Sequence, residues 1–513
     1  MISGPVTVNR SPVAVGALWY AVGVERRPVQ RPFRPRRATV VRALALAGAL
    51  ACVSMTPVPP TADGLIRSGL HDLHDGLYDK AEASFRQAAR VVPADPGPQL
   101  FIAFDLWWRI LDDPADTSRD RPFLDAVEQA VAAGERLLED SPDDVRVRTA
   151  VGTAHILRSQ VEGLRRNFFK ASQEARRGKK LLQTVHETDS GYADALFGLG
   201  AYNYYTNRIP GLARGLLFMP RGDPELGLEQ LKTLARSDAY FSTDALLLLA
   251  MICGSRDERC YPDSLAHLTQ ALRRNPGSPL VLGTIAGLKT RLMDYPGAIE
   301  GFEAARAAAS GPGDERARQH RVLSVYLADA LAADWRLAGA AEALRDAGDP
   351  AALPTRDRQA FERIEREIAQ KRGETPETPV ASRVHPSDRL QAALRAHQEG
   401  READAFALLA SAAETRPGDP LPHLLAGRFL FLAGKDAGAA KELGLARERA
   451  VDPPPWMAGS IELYLGLIES RLGHREEARA HFQTASQVRR FRSVERALME
   501  LQEGTPPHAR CAP

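Results

Sequence analysis

The chain reads as an all-α protein, a right-handed superhelical solenoid of helix–turn–helix repeats in two blocks. Two observations lead there. Leu268 and Ala271 recur as Phe302 and Ala305, and Leu409 and Ala412 recur as Leu443 and Ala446, each at an offset of 34 residues. That is the length of a two-helix unit that cannot bury its apolar face alone and must stack on neighbours. The second observation is that no stretch carries the strict alternation of a β-strand. Hydrophobic residues make up 44% of the 513 and charged residues 26%, which marks folded material rather than a disordered chain.

The N-terminal segment, residues 1–52, stands apart. It holds eight arginines against the single acid Glu25, a charge of +7, so the overall +2 conceals a body of −5. A mildly acidic body with interspersed charges lacks the basic face that nucleic-acid binding needs, so no nucleic-acid partner is expected. Arg36, Arg37 and Arg42 precede an apolar run, Ala43 to Val53, which is too short to span a bilayer and suits the core of an export signal. Ala49-Leu50-Ala51 supplies a small-x-small cleavage pattern, and Cys52 follows at once as the candidate lipidation site. A lipid anchor on Cys52 is the leading expectation; plain secretion and a cytoplasmic chain without export are the alternatives. The unusual length of the segment before the apolar run raises the expectation of a true start downstream of Met1. Export also bears on Cys253 and Cys260, which flank a polar loop. In an oxidising compartment they form a candidate disulfide, contributing about 2–3 kcal/mol by loop-entropy reasoning, with two unlinked thiols as the alternative.

The repeat begins near residue 61. Leu65, Gly69, Gly76, Tyr78, Ala81, Phe85, Ala88 and Pro93 set a large and a small residue on a first helix. A small–aromatic–small trio and a closing proline follow on the second. Leu282, Ala286, Tyr295, Ala298, Phe302 and Ala305 repeat the series, and Leu465, Gly466, Gly473, Ala478, Phe482 and Ala485 match it best. Weaker copies carry Ser264, Leu268 and Ala271; Gly400, Ala405, Leu409 and Ala412; and Gly427, Gly434, Ala439, Leu443 and Ala446. On these positions the chain resembles the tetratricopeptide repeat family, which implies stacked helical hairpins and binding of a protein or peptide. At the places where some family members clamp a terminal carboxylate, the first unit has Ile66 and Leu70, so it lacks that clamp.

Residues 97–240 are helical by periodicity but depart from the pattern. Helices are expected at Leu100–Leu111, Pro122–Glu139, 143–162, 167–186, Tyr192–Thr206 and, opened by Asp223-Pro224, to Ala235. Alanine-rich helices follow from Asp314 to Lys371. Pro376 and Pro379 then break the periodicity, so residues 373–387 are expected to link an N-terminal solenoid, 61–372, to a C-terminal block, 388–503.

Candidate contact residues lie in the irregular middle. Trp107 and Trp108, and Tyr202, Asn203, Tyr205 and Asn207, offer rigid amphipathic rings and amides for a partner on a concave face. The competing expectation is that Tyr202 and Tyr205 serve the core. Trp107-Trp108 and the segment around Tyr202 resemble uncharacterised bacterial tetratricopeptide proteins. More distantly they resemble the eukaryotic inclusion-body-clearance family, with which the chain shares a proline-containing apolar loop followed by Gly222-Asp223. That resemblance implies helical repeats and membrane or assembly association, but assigns no activity. The loop itself, Ile209 to Met219, is expected to pack onto the repeats, an interfacial position being the alternative. His71 and His74 with Asp72 and Asp75 are expected to face solvent. No phosphate loop, HExxH or GxSxG occurs, so no cofactor, metal site or catalytic residue is assigned. The expected function is a non-catalytic protein-interaction scaffold in the cell envelope, with an unidentified protein or peptide partner. A cytoplasmic adaptor, and a small-ligand binder or enzyme using Tyr202–Asn207, are the rivals.

Overall fold

The helices begin and end on local signals. Thr61 accepts the Gly64 amide at the start of the helix Ala62–His74, and Asp95, Asp144 and Asp223 accept first-turn amides at the starts of the helices Pro96–Asp112, Val145–Leu164 and Pro224–Ala235. Each satisfies a donor the helix itself leaves open. The computed structural model describes residues 61–209, 211–372 and 386–501. The candidate lipidation site Cys52, residues 1–52 and most of the expected linker lie outside them.

Among the described residues the chain is a succession of helices without strands. The N-terminal part pairs α1 (Ala62–His74) with α2 (Tyr78–Val91), α3 (Pro96–Asp112) with α4 (Asp120–Asp140), and α5 (Val145–Leu164) with α6 (Phe168–Thr188). Next, α7 (Ala195–Thr206) pairs with α9 (Pro224–Ala235) across the short α8 (Gly211–Leu216). Then α10 (Ser242–Cys253) pairs with α11 (Tyr261–Arg274), α12 (Pro279–Arg291) with α13 (Tyr295–Ala308), and α14 (Asp314–Ala333) with α15 (Leu337–Ala347). A single helix, α16 (Thr355–Arg372), closes this part. The C-terminal block pairs α17 (Pro386–Gln398) with α18 (Glu402–Thr415), α19 (Leu421–Leu432) with α20 (Asp436–Arg449), and α21 (Pro455–Leu472) with α22 (Arg475–Gln487). It ends in α23 (Val494–Glu500). This is a tetratricopeptide-like solenoid.

The repeat positions do what their sizes require. The buried stripe of α2 is Ala81, Phe85 and Ala88; of α20, Ala439, Leu443 and Ala446; of α22, Ala478, Phe482 and Ala485. The large middle residue lies on a bare glycine of the partner helix. A Cβ on Gly69 would stand 2.5 Å from the Phe85 ring, one on Gly466 2.6 Å from Phe482, and one on Gly427 2.6 Å from Leu443. The rule of a large residue over a facing glycine continues through the irregular middle. Gly178, Leu182 and Val185 line α6, with Leu182 against Gly152, and Gly227, Leu231 and Leu234 line α9, with Leu231 against Gly200. The middle hairpins keep the packing rule and lose the period: α5 and α6 are 20 and 21 residues long, against 13 and 14 in α1 and α2.

Several hairpins share a polar clamp. Nδ1 of His155, His423 and His481 lies 2.6, 2.7 and 2.7 Å from Oε2 of Glu174, Glu442 and Glu462, and each pair is 19 residues apart on facing helices. In the last hairpin, α21 with α22, the histidine and the glutamate have exchanged sides. Burial pushes the Glu174 carboxyl up, but the hydrogen bond and charge of His155, aided by Arg158 and Arg177, outweigh it and hold the group below the ordinary glutamate value of 4.5. A carboxyl depressed in the folded state stabilises the fold above its unfolded pKa, and that stabilisation is lost as pH falls through the folded value. Glu174→Gln is therefore expected to lower stability at pH 7, with the gap to wild type closing as pH drops below about 4.5. Denaturant unfolding across pH measures it, and a gap independent of pH contradicts it.

The superhelix coils back upon itself. His74 of α1 is buried with Nε2 3.1 Å from Asp244 Oδ1 on α10, and its carbonyl accepts Ser278 Oγ at 2.7 Å. The expectation of a solvated turn at His71 and His74 is thus corrected for His74: a neighbouring turn of the solenoid covers it. Gln319 of α14 donates to the Asp75 and Gly76 carbonyls at 2.9 and 3.0 Å. The C-terminal end is tied in the same way. Glu495 meets Arg256 at 3.0 Å and Arg291 at 2.8 Å. Arg492 grips Asp329 at 2.7 Å and Glu367 at 2.5 Å.

Candidate interaction surface

The sequence points to α7, and its side chains turn inward. Residues Ala195 to Tyr204 are buried without interruption, because α7 is enclosed by α5, α6 and α9. Small residues permit this: a Cβ on Gly227 would lie 2.7 Å from the Gly200 carbonyl, so the α7 and α9 backbones touch. The buried Asn203 amide donates to Gln230 Oε1 at 2.9 Å. Tyr202 is buried beneath Lys179, whose Nζ stands 5.5 Å from the ring centre. Tyr204 donates its hydroxyl to Glu258 at 3.0 Å, and Arg208 covers its ring at 4.6 Å. Tyr205 packs edge-on to Tyr204 at 5.2 Å and is half-buried. Asn207, also half-buried, accepts Arg221 Nε at 2.7 Å.

Trp107 and Trp108 share that interior. They stand on α3, buried from Leu100 to Leu111 on every side. Trp107 stacks on Phe104 at 5.4 Å and donates to Gln160 at 3.1 Å. Of the six candidate contact residues, Trp107, Trp108, Tyr202 and Asn203 are therefore closed to a partner in this fold, and Tyr205 and Asn207 are engaged by their neighbours. The reason is packing between neighbouring hairpins: α5, α6 and α9 enclose α7, and Trp107 reaches Gln160 of α5, so aromatics that suit a groove become core.

Cys253 ends α10 and Cys260 precedes α11. Both are buried in one small cluster, and the Cys260 amide donates to the Cys253 carbonyl at 2.8 Å. A small, largely enclosed cavity elsewhere is lined by Tyr295, Lys371, Arg428 and Arg492. There Lys371 lies 4.4 Å from the ring centre of Trp335 and 4.9 Å from that of Trp456. Burial, against the pull of Glu367, pushes its ammonium down to about 8. Among the described residues no group of three or more His, Cys, Asp and Glu is placed to hold a metal. No helix among them is long and apolar enough to cross a membrane.

What does reach solvent is the loop expected to pack away. After α7 the chain leaves the array as an arm through α8, which buries no residue. Leu212 is 82% exposed, and Leu216 and Phe218 are each 71% exposed. The arm returns through Gly222, where a Cβ would lie 2.2 Å from the Asn203 carbonyl, so only glycine lets the chain pass so close to α7. The expectation of a buried loop is corrected: α7 and α9 meet directly through Gly200 and Gly227, which leaves no space for the arm between them.

No protein-family model matches the chain, and no curated protein matches it. Among solved structures it is similar to yeast Tom70 at 12% identity and a TM-score of 0.25, over 86% of this chain and 95% of that one. It is similar to a human IFIT1 dimer with m7Gppp-AAAA at 13% identity and 0.26, over 86% and 80% of the two chains. A third similarity is to the P58(IPK) TPR domain, at 10% and 0.23, over 87% and 99%. At these identities and scores they carry no argument about function.

Proposed function

We propose that the chain is a non-catalytic protein-interaction scaffold held in the cell envelope, anchored through Cys52 when the N-terminal segment is processed. The observation that carries this reading is where the polar chemistry goes. Histidines, carboxylates and guanidinium groups that make an active site elsewhere are here spent as clamps between helices, as in His74–Asp244, His155–Glu174 and Arg492–Glu367. A stiff array of this kind presents a pre-formed surface and loses little freedom on binding. The envelope placement rests on the arginine-rich segment, the apolar run and Ala49-Leu50-Ala51-Cys52. Crosslinked co-purification from native membranes, comparing wild type with Cys52→Ala, tests the reading. A specific protein partner lost in the variant supports it. The same partner recovered from cytosol, with the first 52 residues intact, overturns the anchoring.

A further inference from the structure

We infer that the arm after α7 docks on an anionic lipid surface, its Leu212, Leu216 and Phe218 side chains entering the boundary between headgroups and acyl chains. The inference rests on the envelope placement above only for where such a surface is met; the contact itself follows from the arm.

Three features select a lipid surface. The first is the exposure of three large apolar side chains within seven residues, on a segment with no core of its own. Such a segment is too short to span a bilayer and suits one that lies in its interface. The second is charge. Residues 195–222 contain Arg208, Arg214 and Arg221 and no carboxylate. Arg208 is held by Asp257 and Glu258. Arg214 donates to the Ile209 carbonyl at 3.0 Å and Arg221 to the Asn207 side chain at 2.7 Å, so both keep their charge uncancelled by any carboxylate among the described residues. Apolar tips framed by uncompensated arginines complement an anionic headgroup layer.

The third feature is a second patch of the same kind at the same end of the array. Phe168 and Phe169, both more than half exposed, open α6 beside Arg166, while Lys170 is paired with Glu162 at 2.6 Å. The register of α6 against α7 sets their level. Gly198 faces Leu182 and Tyr202 lies under Lys179, so the two helices run antiparallel, the end of α7 comes level with Ala175, and the first two turns of α6 extend beyond it. The arm therefore leaves the array at the end where α6 starts. Two such patches at one end define a face for a plane, not a slot for a peptide.

The test places a reporter on the arm. Phe218→Trp is made in the full chain carrying Cys52→Ala, so that no acyl chain is attached. Trp107, Trp108, Trp335 and Trp456 are buried, so the added indole is distinguishable from them, and Trp19 is common to variant and parent. The probe is vesicles of equal parts phosphatidylglycerol and phosphatidylcholine with brominated acyl chains. Emission from position 218, taken as the difference from the parent, is expected to be quenched by these vesicles and not by phosphatidylcholine alone. Adding Arg214→Gln and Arg221→Gln should raise the lipid concentration needed by roughly tenfold or more. A chain that binds the vesicles without quenching at position 218 overturns the proposal, as binding then comes from the N-terminal segment. Shielding of position 218 without lipid, growing with protein concentration, overturns it in favour of a second copy of the chain. Quenching at position 218 together with no protein co-purifying with the wild-type chain would instead count against the scaffold reading alone.

Discussion

Arg492→Met is expected to lower the free energy of unfolding by about 3–5 kcal/mol, the cost of removing one member of a buried ion-pair network. Arg492 precedes α23 and reaches back across the molecule to carboxylates on α14 and α16. Its guanidinium bonds Glu367 twice, at 2.9 and 2.5 Å, and Asp329 at 2.7 Å. Arg363 also meets Asp329, at 3.1 Å, and Lys371 meets Glu367 at 2.9 Å. Burial drives the Glu367 carboxyl up, and Arg492 and Lys371 more than reverse it, so the group is held well below the usual carboxylate range. Methionine fills the space and supplies no charge. Two buried carboxylates are then left with two cations between them, Arg363 shared by both and Lys371 on Glu367, and α23 loses a tie to α14 and α16. Chemical denaturation measures the change, and hydrogen exchange of the α23 amides locates it. A loss under about 1 kcal/mol, with α23 still protected, would show that the network is solvated and the argument wrong.

Phe85→Ala is expected to cost about 3–5 kcal/mol for a different reason, the cavity left in a close-packed interior. Phe85 is fully buried, lies over Gly69 and stacks on Phe101 at 5.6 Å. Neighbours cannot collapse into the gap, because the facing residue is a glycine with no side chain to advance. The loss is read from the denaturation midpoint. If Gly69→Ala restores much of the stability of Phe85→Ala, the glycine–aromatic pairing is the unit the repeat preserves. If it restores nothing, the loss is one of aromatic contacts with Phe101 and the rings beyond it.

These two sites differ in how far they can be read from sequence. Phe85 stands in a small–large–small trio recurring at a fixed interval, and a size pattern survives in one dimension. The copy at Ala340-Leu344-Ala347 obeys the same rule, and Leu182 keeps its facing glycine; both escape a 34-residue period, because α5, α6 and α14 are 20 residues or longer. Arg492 gives no such signal. Its partners lie 163 and 125 residues away, and nothing near Arg492 distinguishes it from arginines on the surface. The His–Glu clamps fall between these cases: an offset of 19 was visible, but only antiparallel packing gives it meaning. The candidate contact residues failed for a geometric reason. Trp107, Tyr202 and Asn203 have the chemistry of a binding groove, and whether they reach one depends on how neighbouring hairpins pack. That packing is the sum of many contacts, to which no single residue attests. The arm was legible as an apolar segment and not as an exposed one, since exposure depends on the contact between Gly200 and Gly227 that displaces it.

The return of both ends onto the body changes what kind of polymer this is. In a linear array of repeats each unit answers only to its neighbours, so terminal units open first and disorder travels inward. Here α1 is bonded to residues more than 200 positions ahead of it, and α23 to helices that precede it by more than 100. Opening either end thus breaks contacts on two turns of the coil at once, and the weakest link is moved from the termini to the interior. Contacts of that span are also slow to find, because long loops must close before any stabilisation is returned. The coil thus exchanges the quick, piecemeal assembly of a repeat protein for late closure and a more cooperative whole.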